Sequence, residues 1–198
     1  MITDRDIKII NFIYDFKFIT ISQCGDIFFP NNKSKYDGAR HRLKKIEKTK
    51  RYIKHIFNEE TKEKIYIPIG SKEKKIKMHR IKLIDYIAAL SSIGAKIKTI
   101  EIEPNFNNIK PDAYIKFVFD KKLFHQLIEI ELRHDYVDVN RFKPVLGYIL
   151  QKTNNVRPTI VIIQDTNKDY NTDNFTGLQV IQLNTKLREI AKVININR

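Results

Sequence analysis

Two runs of alternating apolar and polar residues, Arg51-Tyr52-Ile53-Lys54-His55-Ile56-Phe57 and Lys64-Ile65-Tyr66-Ile67-Pro68-Ile69, flank the polar stretch Asn58-Glu59-Glu60-Thr61-Lys62-Glu63. Strand periodicity around a polar tip predicts a β-hairpin. Three stretches of helical periodicity come directly before it. Thr3, with Asp6 three residues on, has capping-box spacing and starts a first helix over about 4–16, with Ile7, Ile10, Phe12, Ile13 and Tyr14 as its apolar positions. Thr20 or Ser22 caps a short second helix from Ile21 to about Phe29, stopped by Pro30-Asn31-Asn32. Ser34 opens a third helix over about 34–48, in which Tyr36, Ala39, Leu43 and Ile46 form the stripe predicted to be buried.

Three helices followed by a hairpin is the order of a winged helix-turn-helix, whose third helix enters the DNA major groove. Charge points the same way. The formal net charge is +14, and residues 1–100 carry 23 Lys/Arg against 11 Asp/Glu, whereas residues 101–198 carry 14 against 12. Lys33 to Lys54 alone holds ten basic and two acidic residues. A cluster of this kind binds nucleic acid by displacing condensed counterions. The expected DNA contacts are Lys33, Lys35, Arg40, Arg42, Lys44 and Lys45, with Arg51 and Lys54 at the base of the wing. Arg40 and Arg42 are the expected base readers, because a guanidinium fork matches the acceptor pair of guanine, and the lysines are the expected phosphate partners.

The Gly-preceded basic stretch 71–78 reads as a linker between a domain over 1–70 and a second domain over 79–198. The second begins with a helix over about 79–93 that ends at Gly94. Strands follow over 96–103, 112–119 and 123–132, then a helix over about 138–153, strands over 159–164 and 178–183, and a helix over 185–194. Thr159-Ile160-Val161-Ile162-Ile163 is continuously apolar, as expected of a strand covered on both faces. Helices before, between and after the strands predict a mixed, three-layer α/β domain.

A turn near Asp120-Lys121-Lys122 sets Asp112 opposite Glu129 or Glu131. Alternation places Asp112, Tyr114 and Lys116 on one face. Three carboxylates with a lysine nearby could hold Mg²⁺ and activate water at a phosphodiester.

The strand and helix order, with Pro111-Asp112 and Glu129-Ile130-Glu131, resembles the PD-(D/E)xK nuclease core. The whole pattern resembles the replication-relaxation family. It consists of a winged helix, then His79 and Tyr86-Ile87-Ala88-Ala89-Leu90, then Lys110-Pro111-Asp112-Ala113 and Ile128-Glu129-Ile130-Glu131-Leu132. That resemblance implies a protein of plasmids, phages or other mobile elements that acts in replication or mobilisation. The nuclease pattern places lysine where this chain has Glu131, so a catalytic lysine would come from Lys116 or Lys143. Under the nuclease reading Asp112 and Glu129 hold the metal, and Glu131 and the lysine complete the site.

The favoured expectation is therefore a double-stranded-DNA-binding accessory or regulatory protein, paired as a homodimer and partnered by a relaxase or replication protein, with no cofactor. A Mg²⁺-dependent deoxyribonuclease is the alternative, and a protein-interaction module with a degenerate nuclease fold is the second alternative. His125 and His134 lack zinc-ligand spacing, and Cys24 has no partner for a disulfide. No stretch approaches the roughly 20 apolar residues that span a bilayer, and the first residues lack a signal-peptide pattern, so the expected location is cytoplasmic with no membrane partner.

Overall fold

A computed structural model describes residues 2–132, 137–165 and 177–195. The chain is mixed α/β, with two sheets, and divides into two compact units, Met1–Ser92 and Ile93–Arg198.

The first unit runs α1 (Asp4–Phe16), β1 (Ile19–Thr20), α2 (Ile21–Phe28), α3 (Lys35–Lys48), β2 (Ile53–Asn58), β3 (Glu63–Pro68) and α4 (Met78–Ser92). Both of the first two helices begin with a capping box, Thr3 with Asp6 and Thr20 with Gln23, so the N-terminal signals read from the sequence act as expected. The hairpin forms in the register Ile53↔Pro68 to Asn58↔Glu63, and β1 adds to β3, giving the antiparallel order β1-β3-β2. Ile9, Ile13, Ile19, Cys24, Ala39, Leu43, Ile46 and Ile53 are fully buried in one core. Cys24 sits there as a small apolar residue, its thiol pushed up by burial.

Helix α4 joins this unit, which corrects the expected boundary. Gln23 Nε2 donates to Ile81 O at 3.2 Å and to Asp85 Oδ1 at 2.8 Å, and Arg80 donates to Phe16 O at 2.9 Å. The stretch expected as a linker is pinned as well: Lys54 Nζ donates to Ser71 O at 2.7 Å, Lys75 pairs with Glu60 at 2.5 Å, and Ile76 is buried. The division falls after Ser92 rather than in 71–78.

The second unit holds one five-stranded sheet in the order β4-β5-β6-β7-β8: β4 (Lys96–Ile102), β5 (Ala113–Phe119), β6 (Lys122–Glu131), β7 (Thr159–Gln164) and β8 (Gln179–Asn184). The first three strands are antiparallel, and β6, β7 and β8 are parallel. The crossover from β6 to β7 carries a 3-10 segment, Val139–Val145, and then α5 (Leu146–Lys152). Pro144 lies inside the 3-10 segment, and its missing N–H explains why the single helix expected over 138–153 is divided. Val139, Phe142, Val145 and Ile149 pack with Tyr114, Leu127, Ile160 and Ile162. Strand β7 is buried at every position, as its apolar run predicts. The helix expected over 185–194 is only a 3-10 turn, Ile190–Val193, because Leu187 takes a left-handed conformation at φ 53° and breaks the helical path.

Candidate nucleic-acid interface

Helix α3 is held by three fully buried side chains, Ala39, Leu43 and Ile46. It crosses α2 closely at Gly25, where a Cβ would come within 3.1 Å of Lys35 O, so a larger residue there would push the two helices apart. With the apolar stripe turned inward, the opposite side faces solvent. Asp37, His41, Lys44 and Lys48 follow one another at helical spacing along that side, flanked by Arg40 and Lys45, and all six are exposed. At 14 residues the helix is about 21 Å long, enough to lie along a major groove.

The expected contact residues fall into two groups. Lys33, Arg40, Lys44, Lys45 and Arg51 are exposed. Arg42, Lys35 and Lys54 are engaged within the protein. Arg42 Nε lies 2.5 Å from Asp6 Oδ1, and its Nη2 donates to Asp6 Oδ2 at 2.7 Å and to Thr3 Oγ1 at 2.6 Å. Asp6 is almost completely buried, and burial works to raise its carboxyl. The Thr3 N–H, Arg42 and the Thr3 hydroxyl outweigh burial and hold it below the ordinary carboxylate range. Arg42 is therefore a structural residue, not the base reader expected from the sequence. Lys35 pairs with Asp26 at 2.5 Å, and Lys54 is tied to Ser71. Tyr36, expected in the core, is 45% exposed on the first turn of α3.

Between α3 and the hairpin lies a groove of about 930 Å³, lined by Arg40, His41 and Lys44 on one wall and His55, Lys64 and Tyr66 on the other. Glu47 closes one part of it. Its Oε1 accepts the His55 backbone N–H at 2.9 Å and lies 2.6 Å from His55 Nδ1, fastening the end of α3 to β2. A second concavity, of about 480 Å³, is lined by Lys45, Lys48 and Arg51 with Ile2, Thr49 and Tyr52. Lys48 and Lys64 were not among the expected contacts. Lys48 was legible as the residue four beyond Lys44 on the same helix face, whereas Lys64 needed the hairpin register. The hairpin tip is acidic: Glu59 is exposed, Glu60 pairs with Lys75, and Glu63 accepts from Ser22 Oγ at 3.1 Å. Burial raises the Glu63 carboxyl, opposed by that Ser22 contact. Lys62 is the exposed cation of the tip, and the other exposed cations of the hairpin are Lys64 on β3 and Arg51 at the base.

In the second unit the turn is two residues, Asp120-Lys121, between the closing pair Phe119↔Lys122. Continuing that register from Ala113↔Ile128 sets Asp112 opposite Glu129. Asp112 accepts the Ile130 N–H on Oδ2 at 2.7 Å, and Glu129, 6% exposed, forms an ion pair with Arg141. Lys116 lies four residues along β5 from Asp112, about 13 Å away, and pairs across the ladder with His125 rather than with the carboxylates. Glu131 ends β6 partly exposed, and Lys143 is exposed in the 3-10 segment. Among the described residues no group of three or more His, Cys, Asp or Glu is placed to hold a metal ion. The ladder thus sets Asp112 against Glu129, one of the two expected pairings, and keeps Lys116 apart from both.

On the same face as Leu127, Tyr114 Oη lies 2.6 Å from His125 Nδ1, with both side chains buried. Burial pushes the Tyr114 phenol up to about 12. Burial, followed by the nearby Lys116 charge, lowers the His125 ring below its ordinary value, so the neutral form is favoured. His125 Nε2 is buried and has no hydrogen-bond partner among the described residues. His134 lies outside the described residues. No described helix is long and apolar enough to cross a membrane.

Comparison with protein-family models, with curated proteins and with solved structures finds no match to this chain.

Proposed function

We propose that this chain is a double-stranded-DNA-binding protein whose first unit is a winged helix-turn-helix, with α2 and α3 as the helix-turn-helix and β2–β3 as the wing. The observation that carries this reading is the outward side of α3. Over about three turns it offers Arg40, His41, Lys44, Lys45 and Lys48 to solvent, while Ala39, Leu43 and Ile46 anchor the opposite side. Cations held on a rigid element displace counterions from phosphates without first having to order themselves. The sheet order β1-β3-β2, with β1 between α1 and α2, supports the winged form.

The second unit is read as a PD-(D/E)xK-like core, supported by an antiparallel β4-β5-β6 meander followed by parallel β7 and β8. The contacts made by Asp112 and Glu129 favour a non-catalytic role for it. Together these features suit an accessory or regulatory protein of a mobile element, acting in replication, mobilisation or transcription control in the cytoplasm. A homodimer would match two half-sites, and a relaxase or replication protein is the suggested partner. Titration of the full chain against duplex DNA at several salt concentrations tests the reading. Affinity that falls steeply with salt supports it, and no salt-sensitive affinity for any duplex points to a protein-interaction module instead.

A further inference from the structure

The solvent side of α3 carries one carboxylate among its cations. Asp37 is 69% exposed and Arg40, one turn on, is 63% exposed; Arg40 Nη2 and Asp37 Oδ1 stand 3.6 Å apart as a loose pair. A purely cationic stripe would grip any phosphate lattice, because phosphate contacts carry no sequence information. A carboxylate on the same stripe is different. Phosphates and the acceptor edges of guanine and thymine repel it, and an amino group such as cytosine N4 compensates it. Arg40 has the complementary chemistry, a donor fork that fits guanine O6 and N7. Because Arg42 is bound to Asp6 and Thr3, Arg40 is the arginine of α3 that faces solvent. Three residues advance about 4.5 Å along a helix axis, close to the roughly 3.4 Å step between stacked bases, so the two side chains address neighbouring base pairs.

From this, and resting on the DNA-binding reading above, we infer that Asp37 and Arg40 form a two-residue reading unit that selects duplex sites with cytosine and guanine on neighbouring base pairs. Asp37 accepts from cytosine N4 and keeps the Arg40 guanidinium aligned, while Lys44, Lys45 and Lys48 hold phosphates. An acidic residue in the first turn also favours the helix dipole, so a purely structural Asp37 would affect folding without affecting base choice.

The test is selection from a randomised duplex pool by the full chain and by its Asp37→Asn, Asp37→Ala and Arg40→Ala variants, with thermal melts of each protein alongside. The wild type is expected to enrich neighbouring guanine and cytosine. Both Asp37 variants should lose the cytosine preference by about tenfold at that one position and keep the rest of the site, as expected for loss of one base contact. Arg40→Ala should lose the guanine. An unchanged motif in the Asp37 variants, or a wild-type motif lacking the two neighbouring bases, overturns the inference. Salt-sensitive binding with no enriched motif also overturns it but leaves the DNA-binding reading standing, whereas absence of any duplex affinity removes both.

Discussion

Arg42 of α3 grips Asp6 of α1 through two of its nitrogens, at 2.5 Å and 2.7 Å, and reaches the Thr3 hydroxyl with the second of them. The capping box that starts α1 is thereby tied to the helix that carries the cationic stripe. This cross-link lies on the flank of α3, away from the stripe, and helps set which side of the helix faces solvent.

Removing either partner should therefore act on stability. Asp6→Ala or Arg42→Ala is expected to cost the first unit about 3 kcal/mol in denaturant unfolding, because each leaves a largely buried charge without its partner. Arg42→Lys should recover little, since an ammonium cannot make the two-point contact. The Asp6 carboxyl is lowered in the fold, so its contribution is fully present above the unfolded value, near 3.8, and is lost as pH falls through the folded one. A melt of Arg42→Ala indistinguishable from wild type would contradict this role.

His125 sets an acid limit on the second unit. Its ring is lowered from 6.5, so the unfolded chain takes up a proton that the folded chain resists. Stability should hold above about pH 6.5 and fall as the pH drops below it towards the folded value. His125→Gln should flatten that part of the profile, read by chemical unfolding between pH 4.5 and pH 7.5. Tyr114→Phe, which strips the ring of its partner, should cost about 1–2 kcal/mol.

The β5–β6 turn has a conformation its residues do not favour. Asp120 and Lys121 have φ values of 45° and 63°, the left-handed pair that a two-residue hairpin requires. Replacing them with Asn-Gly should stabilise the second unit by about 1 kcal/mol and raise its melting temperature. A lower melting temperature would show that their side chains make contacts worth more than the backbone relief.

Arg141 forms an ion pair with Glu129 on the strand that the metal-site motif singled out. Arg141→Ala should destabilise the second unit by about 3 kcal/mol, since Glu129 is nearly buried. Wild-type protein incubated with Mg²⁺ or Mn²⁺ should leave supercoiled plasmid intact. Nicking that Asp112→Ala abolishes would replace the accessory role with a catalytic one.

Periodicity and capping made most elements legible. The Thr3–Asp6 box, the Thr20 cap, the hairpin and the apolar β7 strand are local patterns, and local patterns survive folding unchanged. What failed depended on distant partners. No charge count shows that Arg42 meets a residue 36 positions away. Helix α4 buries Ile81, Leu83, Tyr86, Ala88 and Leu90, positions spread around its circumference, so its sequence offers no side by which to tell which unit it joins. Tyr36 lies at the edge of the α3 stripe and is left half-exposed. Hairpin counting placed Asp112 opposite Glu129 correctly, but alternation alone put Lys116 on the same face as Asp112 without showing that four residues of strand keep the two apart.

The most direct measurement is fluorescence anisotropy of the full chain on labelled duplex from low to physiological salt, comparing wild type, Arg40→Glu/Lys44→Glu and Arg42→Lys. For the wild type, affinity should fall by at least tenfold over that range, and the double variant should lose nearly all of it while still folding. Arg42→Lys should keep its duplex affinity under conditions where it remains folded. Undiminished binding by Arg40→Glu/Lys44→Glu would contradict the assignment of α3 as the DNA-facing element.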